Sequence, residues 1–280
     1  MKSIFIFRRD FRIYDNKGLI ECCENSDEVL LLFIFTPEQV KNNEYFSSNS
    51  FQFLIESLQE LEEELNSNKI KIHYSFDDNV KVLKKIKENF KYNKVYINQD
   101  FTPYAVKREN EIKKYLDKEK KELILTQDYL LADIGTFCKK DGGAYEVYGA
   151  FRKYTKQFTI ENVNTKFNIK KYKFKSINDT IELNDLSKYY NINPDIMIHG
   201  GRKNALKILK KASEFSGYEE YRDQLDYKTT HLSAYIKYGN LSIREVYHTF
   251  VNKFGDDFGI INQMFWREFY FYIGYYNPRV

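Results

Sequence analysis

SIFIF (Ser3–Phe7) and VLLLFIF (Val29–Phe35) are two short, continuously apolar runs, rich in β-branched and aromatic residues. Runs of this length are typical of strands that are buried on both faces of a sheet. Three more strand-like runs follow, at Ile70–Tyr74, Lys94–Asn98 and Leu123–Thr126. Helical patterns separate the runs, and such alternation predicts right-handed crossovers and a parallel, doubly wound sheet. We therefore expect an N-terminal domain of the α/β class.

Two of the intervening helices have clear local signals. One is expected from about Ser50, because its apolar residues recur every three or four positions and form one stripe. The stripe comprises Phe51, Leu54, Ile55, Leu58, Leu61 and Leu65. Another helix is expected at Thr102-Pro103, where threonine can cap the first turn. Proline is tolerated at the first helical position because an N–H there would have no partner within the helix.

After Pro194 the pattern is helical. Predicted helices cover Gly201–Ala212, Thr230–Tyr238 with a stop at Gly239, Ser242–Phe250 and Ile260–Tyr276. Ser242 and Glu245 have the spacing of a capping box. We expect a doubly wound α/β domain over residues 1–130, an interdomain linker over 131–194, and an incomplete all-α domain over 195–280.

The composition excludes several classes of protein. The 280 residues include 44 Lys and Arg against 40 Asp and Glu, a net charge of +4, and the apolar share of 42% suffices for packed cores. The longest apolar run falls far short of the roughly 20 residues of a membrane span. Met1–Phe7 is too short for the core of a signal peptide. Three cysteines make no disulfide framework. We expect a cytoplasmic or nuclear protein of a reducing compartment, neither secreted nor bound to a membrane.

The predicted linker is strongly basic. Segment Lys139–Lys175 has ten Lys and Arg residues against three Asp and Glu. Two interpretations stay open, a solvated linker and a surface that faces a polyanion such as nucleic acid.

Standard catalytic signatures are absent from the sequence. No glycine-rich loop follows the first strand, the four histidines and three cysteines show no metal-ligand spacing, and no serine lies in a nucleophile elbow. Two motifs remain as candidates. Thr229–Ser233 places three hydroxyls at a predicted helix start, which suits either a phosphate or ordinary capping. Trp266-Arg267 suits either base stacking with phosphate contact or a buried tryptophan beside a structural ion pair.

The arginines after the first strand have a structural interpretation. Arg8, Arg9 and Arg12 lie close in sequence to Asp10 and Asp15. They are expected to form a salt-bridged turn between the first strand and the first helix.

Motifs along nearly the whole chain, in order, resemble the DNA photolyase/cryptochrome family. They are FIFRRDFRIYDNKGL (Phe5–Leu19), FIFTPEQV (Phe33–Val40), NQDFTPYAVKRE (Asn98–Glu109), YEVYGAFRKY (Tyr145–Tyr154), GGRKNALKIL (Gly200–Leu209), YEEYRDQLDYKTTHLSAYIKYGNLSIREVY (Tyr218–Tyr247) and WREFYFYIGYYNP (Trp266–Pro278). The resemblance implies an α/β antenna domain followed by a helical domain that holds FAD. It also implies light-driven electron transfer from reduced flavin to a pyrimidine dimer flipped out of DNA, the reaction of a deoxyribodipyrimidine photolyase.

The resemblance also assigns residues. Tyr218, Thr229, Thr230, His231, Leu232, Ser233 and Arg267 would contact FAD, and Arg222, Gln263 and Trp266 would contact DNA or the lesion. Gln263 departs from the glutamate of many cyclobutane-dimer photolyases and matches the (6-4) photolyases, so the lesion type stays open. No antenna chromophore is assigned.

Family members continue for well over a hundred residues beyond the segment that this chain matches. The resemblance therefore implies a flavin pocket with one wall missing, and a chain that is inactive in isolation. Three hypotheses follow: a split photolyase completed by a separate chain, an inactive remnant, and a non-enzymatic protein that binds nucleic acid or a nucleotide.

Overall fold

A computed structural model describes residues 1–41, 43–178 and 180–279. The N-terminal half contains a five-stranded sheet in the order β3-β2-β1-β4-β5, and all four neighbouring pairs are parallel. The expected doubly wound α/β domain followed by helices is therefore confirmed.

The elements of the N-terminal half alternate along the chain. They are β1 (Lys2–Phe7), α1 (Lys17–Glu24), β2 (Glu28–Phe35), α2 (Pro37–Val40), α3 (Ser48–Ser67), β3 (Ile72–Phe76), α4 (Asn79–Asn89), β4 (Lys94–Asn98), α5 (Pro103–Lys118) and β5 (Glu122–Thr126). Every residue of β2 is buried, as its unbroken apolar run predicts. Thr102 caps α5 by accepting from the Ala105 N–H, and Pro103 occupies the first turn.

The remaining elements are helical. They are α6 (Tyr148–Thr155), α7 (Arg202–Lys210), α8 (Tyr218–Tyr221), α9 (Ser233–Lys237), α10 (Ile243–Phe254) and α11 (Gly259–Tyr276), with 3-10 turns at Ile169–Lys171, Leu183–Tyr189 and Ala212–Phe215. Helix α6 lies inside the segment, residues 131–194, that was predicted as an interdomain linker. No helix of the described ranges is long and apolar enough to span a membrane.

The capping box predicted at the start of α10 forms only in part. The Ser242 hydroxyl accepts from the Arg244 N–H at 3.2 Å. Glu245 instead accepts two hydrogen bonds from the Arg202 guanidinium, both at 2.8 Å. A bidentate, charge-assisted pair at this half-buried position outcompetes the backbone N–H for the carboxylate.

The prediction that the arginines after β1 pair with the nearby Asp10 and Asp15 in one turn is wrong. Arg12 pairs with Asp128 at 2.5 Å, and Asp15 pairs with Arg244 at 2.9 Å. Arg244 also pairs with Asp128 at 2.7 Å. These four charges are almost completely buried, and they join the α/β domain to α10. Local sequence spacing could not indicate these partners, because the nearer pair is separated by 116 positions.

Part of the predicted linker, residues 173–178 and 180–181, contacts the sheet and is called the strap. The Val29 N–H donates to the Lys173 carbonyl at 2.9 Å, and the Lys175 N–H donates back to the Val29 carbonyl at 2.8 Å. Further along, the Ile181 N–H donates to the Tyr74 carbonyl at 3.0 Å. The strap therefore extends the hydrogen bonding of β2 and β3.

His73 attaches the strap from inside the core. Its side chain is fully buried, and its Nε2 lies 3.0 Å from the Ile177 N–H nitrogen and so must accept that hydrogen bond. Nδ1 lies 3.2 Å from the Leu31 carbonyl oxygen and must carry the ring proton. Both contacts need a neutral imidazole. Burial lowers the pKa of His73, the backbone contacts oppose that fall, and Lys71 adds to it.

We expect His73 to make the unfolding free energy decrease as the pH is lowered. Because its folded pKa is lowered, the unfolded chain binds the proton first as pH drops below about 6.5, so the unfolding free energy decreases there. His73→Gln should lose about 1–3 kcal/mol at pH 7, because the replacement fits the two buried backbone partners less well. The variant should also show a smaller loss between pH 7 and pH 5. Urea unfolding at both values tests this, and equal pH slopes for both proteins would contradict it.

Candidate functional site

A cavity of about 610 Å³ lies where α9, α10 and α11 meet the end of β1, and it is called the first cavity below. Its apolar lining includes Ile236, Val246, Ile260, Met264 and Phe271. It also brings together eight of the ten residues that the family resemblance assigned. They are Tyr218, Thr229, Thr230, His231, Leu232, Ser233, Gln263 and Arg267.

In the hydroxyl-bearing segment Thr229–Ser233, the two threonines precede the helix and only Ser233 belongs to it. Helix α9 begins at Ser233, three residues after the predicted start. His231 has a φ of 51°, in the left-handed region, and this bend separates the threonines from the helix. The Leu232 N–H donates to the Thr230 hydroxyl at 3.3 Å, so that hydroxyl has a local capping-type bond as well as a place on the cavity wall.

Arg267 is held on the wall of the first cavity by two contacts. Its guanidinium donates to the Tyr129 carbonyl at 2.7 Å and to the Glu268 carboxylate at 2.8 Å. The other Glu268 oxygen accepts from the Leu131 N–H at 3.0 Å. Burial raises the pKa of Glu268 to about 7, although the Arg267 guanidinium opposes that rise. These bonds fix Arg267 against the end of the α/β domain, with its charge on the cavity wall.

The remaining two assigned residues lie in an adjoining groove. Arg222 and Trp266 line a groove of about 480 Å³, called the tryptophan groove below, together with Tyr148 and Asn262. Gln263 lines both the groove and the first cavity. Arg222 is exposed, and its contact to Asp223 is long, at 3.9 Å. The structure thus divides the assigned residues between two adjoining spaces that Gln263 connects.

Trp266 is half-buried and stacked. The Tyr148 ring lies parallel to it, with centroids 3.7 Å apart and an angle of 9° between the planes. The Tyr148 hydroxyl donates to the Asn262 carbonyl at 2.9 Å, which fixes the tyrosine in place. An aromatic ring therefore already contacts the indole, and Trp266 stands in an aromatic stack rather than deep in the core. Its neighbour Arg267 makes the structural ion pair that was the alternative interpretation.

A second cavity, of about 530 Å³, lies beyond the carboxyl ends of β1 and β2. Its polar lining includes Arg8, Arg108, Asp100, Thr102 and Tyr104. Ligands of open α/β sheets commonly bind at this edge, where the strand order reverses. The sequence assigned no ligand here.

Comparison with known proteins identifies the family. The sequence model of the DNA photolyase family matches residues 3–167, more than half of the chain. The chain belongs to the DNA photolyase family. The deoxyribodipyrimidine photo-lyase of Buchnera aphidicola is 28% identical over 299 positions, which cover 100% of this chain and 61% of that protein.

Solved photolyase structures agree with the fold. An archaeal photolyase from Sulfolobus tokodaii, determined with two FAD molecules, is 27% identical with a TM-score of 0.83, covering 99% of this chain and 60% of that one. A class III photolyase from Agrobacterium tumefaciens has a TM-score of 0.86 over 99% and 59% of the two chains, and at 20% identity it shows the fold alone. The chain thus spans about three fifths of the length of these photolyase relatives.

Sequence reasoning missed two cations of this photolyase-family chain. Arg9 and Lys237 line the first cavity, but neither was a candidate. Arg9 was assigned to the turn after β1, and Lys237 stood among the lysines of a lysine-rich chain. The only local signal is that Lys237 lies one helical turn after Ser233, on the same side of α9.

Proposed function

We propose that this chain binds FAD in the first cavity and takes part in light-driven repair of pyrimidine dimers in DNA. The supporting observation is the convergence of eight assigned residues on one cavity, which Gln263 connects to the groove holding Arg222 and Trp266. When bound, reduced FAD supplies the light-excited electron that splits the dimer.

The lining of the first cavity fits such a dinucleotide. Its volume, about 610 Å³, is within the range of roughly 300–1,000 Å³ that is usual for small-molecule sites. Apolar side chains of α10 and α11 provide a surface for a flat ring system. Hydroxyls of Thr229, Thr230 and Ser233 with the cations Arg9 and Arg267 provide donors for a diphosphate.

Each part of the chain has a separate task in this proposal. Arg267, held by Glu268, orients an anionic group without having to be ordered at the moment of binding. Trp266 and Tyr148 provide a preformed aromatic platform for a base that has left the duplex. Arg222, exposed beside them, contacts backbone phosphate, which carries no sequence information and positions the strand.

Flavin retention is the first measurement. The purified chain, incubated with excess FAD and desalted, should keep a flavin absorption band, and illumination with a reductant should then repair dimer-containing DNA. A colourless protein would contradict FAD binding by this chain alone. Recovery of the band on co-expression with a separate helical segment would support the split-photolyase hypothesis, and its absence under all conditions would support an inactive remnant.

Two substitutions separate the roles of the groove residues. Arg222→Ala should weaken binding of damaged and undamaged DNA to the same extent, roughly ten-fold at low salt, because a phosphate contact is lost.

Trp266→Ala should reduce mainly the preference for dimer-containing DNA, by about ten-fold or more, because a stacking surface is lost. Electrophoretic mobility shifts on matched duplexes measure both. Equal losses on damaged and intact DNA for Trp266→Ala would contradict its assigned role and favour a lesion-independent binding protein.

A further inference from the structure

Glu268 is a buried carboxylate directly behind the wall of the first cavity. Its side chain is inaccessible to solvent and does not line the cavity, whereas its neighbour Arg267 does. The two carboxylate oxygens have separate partners. Oε1 accepts from the Arg267 guanidinium at 2.8 Å, and Oε2 accepts from the Leu131 N–H at 3.0 Å. One oxygen therefore holds the cavity cation, and the other holds the main chain that follows the α/β domain.

Arg267 is attached at a second point that does not depend on Glu268. Its Nη2 donates to the Tyr129 carbonyl at 2.7 Å, while its Nη1 makes the contact to Glu268. The Arg267 side chain is 24% exposed, so part of the guanidinium reaches the cavity. Loss of the Glu268 contact would therefore free Nη1 for a ligand and leave the guanidinium in place on the wall.

The separate contacts allow Glu268 to bind a proton without releasing the main chain. A protonated carboxyl keeps one oxygen as a carbonyl acceptor and turns the other into a hydroxyl. With the proton on Oε1, Oε2 still accepts from the Leu131 N–H, and only the bond to the guanidinium is lost. Burial favours this neutral form and raises the pKa of Glu268 to about 7, although Arg267, the Leu131 N–H and Arg244 oppose the rise.

The other charged and titratable groups around this pair already have partners. Arg244 of α10 faces Glu268 but pairs with two buried aspartates. The Tyr272 hydroxyl, one turn further along α11, donates to a main-chain carbonyl at 2.8 Å. Arg9 and Asp100, the next charges beyond the cavity cation, pair with each other at 2.6 Å. An anion that enters the first cavity therefore competes most directly with Glu268 for that cation.

We propose that an anionic ligand in the first cavity replaces Glu268 as the partner of Arg267 Nη1, and that Glu268 binds a proton from solvent as this exchange occurs. The inference rests on the proposed function for the identity of the ligand, the diphosphate of FAD. Because the coupling is reciprocal, the ligand binds more tightly as the pH falls, and the bound ligand holds the proton on Glu268.

Proton uptake is measured by calorimetric titration of the full chain with FAD at pH 7.5, in two buffers whose ionisation enthalpies differ. The two apparent enthalpies should differ by the amount that corresponds to about half a proton per FAD, as a coupling of about one pKa unit gives. The Kd for FAD should also fall about five-fold between pH 8 and pH 6. The FAD diphosphate keeps its charge over this range, so the change belongs to the protein. Equal enthalpies in both buffers would overturn the proposal.

Glu268→Gln separates the exchange from a purely structural role. Glutamine imitates the protonated carboxyl, so the variant should bind FAD without proton uptake and about five-fold more tightly than the wild type at pH 8. If Glu268 were only a structural tie, its replacement would weaken binding. Proton uptake that survives in this variant, or weaker binding at pH 8, would overturn the proposal.

Two further variants serve as controls. His231 also lines the first cavity, and histidines commonly gain charge in this pH range, so His231→Gln should keep the proton uptake if Glu268 is its source. Glu111→Gln replaces an exposed glutamate of α5 that lines no part of the first cavity, and it should bind FAD as the wild type does. Loss of the uptake in His231→Gln would contradict the role of Glu268.

A failure of FAD binding is distinguishable from a failure of the exchange. If FAD binds without proton uptake, the proposed function stands and this inference fails. If FAD does not bind, the proposed function fails, and sulfate, whose charge is constant over this range, serves as the probe. In protein with carbon-13-labelled glutamate, the Glu268 carboxyl resonance should titrate at a pH of about 7, and sulfate should move that midpoint upward. Arg267→Met should abolish the sulfate effect, and this comparison does not depend on the folding of Glu268→Gln. An unchanged midpoint of the wild type in sulfate would overturn the inference.

Discussion

Replacement of Arg244 with methionine is expected to lower the unfolding free energy by about 3–5 kcal/mol, because it breaks a buried ion network by removing one partner. Arg244 is fully buried and donates to Asp15 at 2.9 Å and to Asp128 at 2.7 Å. Asp128 would keep its pair with Arg12, whereas the Asp15 carboxylate would lose the cation that it pairs with. One negative charge would be left buried without compensation, whereas methionine has nearly the right volume and leaves little cavity.

The expected effect reaches beyond α10. Arg12 also donates to the Gly239 carbonyl at 3.2 Å, two residues after the end of α9, so the network holds the helices that line the first cavity. Urea unfolding followed by far-UV circular dichroism measures the loss.

The exposed pair Lys113–Asp117, at 3.3 Å, provides the matched comparison for Arg244→Met. Lys113→Met should cost less than about 1 kcal/mol, because surface pairs are screened by water. If the two substitutions cost the same, the network is not a structural tie between the domains.

Gly239→Ala should be comparably damaging, costing roughly 3–5 kcal/mol through strain and overpacking. Gly239 has a φ of 65°, and an added Cβ would lie 2.3 Å from the Arg9 carbonyl oxygen and 2.5 Å from the Asp10 Cα. Both contacts are to backbone, so no flexible side chain can move aside. Helix α9 would have to move away from β1 and take Lys237 with it.

Substitutions at two further glycines separate the cost of backbone strain from the cost of overpacking. Gly255 also has a positive φ, of 85°, with a ψ of 170°, but an added Cβ there meets nothing within 4 Å. Gly255→Ala should therefore cost only the strain of a backbone conformation that is nearly restricted to glycine, about 1–3 kcal/mol. Gly149→Ala, in open space within α6, should be neutral or stabilising by up to about 1 kcal/mol. Only Gly239→Ala should also reduce FAD retention. A loss no larger than that of Gly255→Ala would show that the backbone contact is unimportant.

The helical half was predicted less precisely than the sheet. Each expected strand is found within about two residues of its predicted bounds, since apolar runs depend on local burial. Helix α9, in contrast, begins at Ser233 instead of Thr230, because His231 adopts a left-handed backbone. That conformation is chosen by the surrounding packing and leaves no trace in hydrophobic periodicity.

The candidate site divides in the same way. The family resemblance assigned ten residues, most of them from continuous motifs, and eight of the ten line one cavity. The stack of Tyr148 on Trp266 and the pairing of Arg244 with Asp15 join positions more than a hundred apart in the chain. No local rule relates such positions, because their contact depends on how complete elements pack.

The sequence by itself determined the order of strands and helices, the cap of α5, the termination of α9 before Gly239 and the membership of the DNA photolyase family. These depend on local backbone preferences and on motifs that are continuous in the chain. Only the tertiary structure decided that Arg9 and Lys237 stand between two cavities and that Arg8 is buried without a carboxylate. The physical reason is that charge compensation and cavity walls are properties of groups brought together in space, which the chain order does not specify.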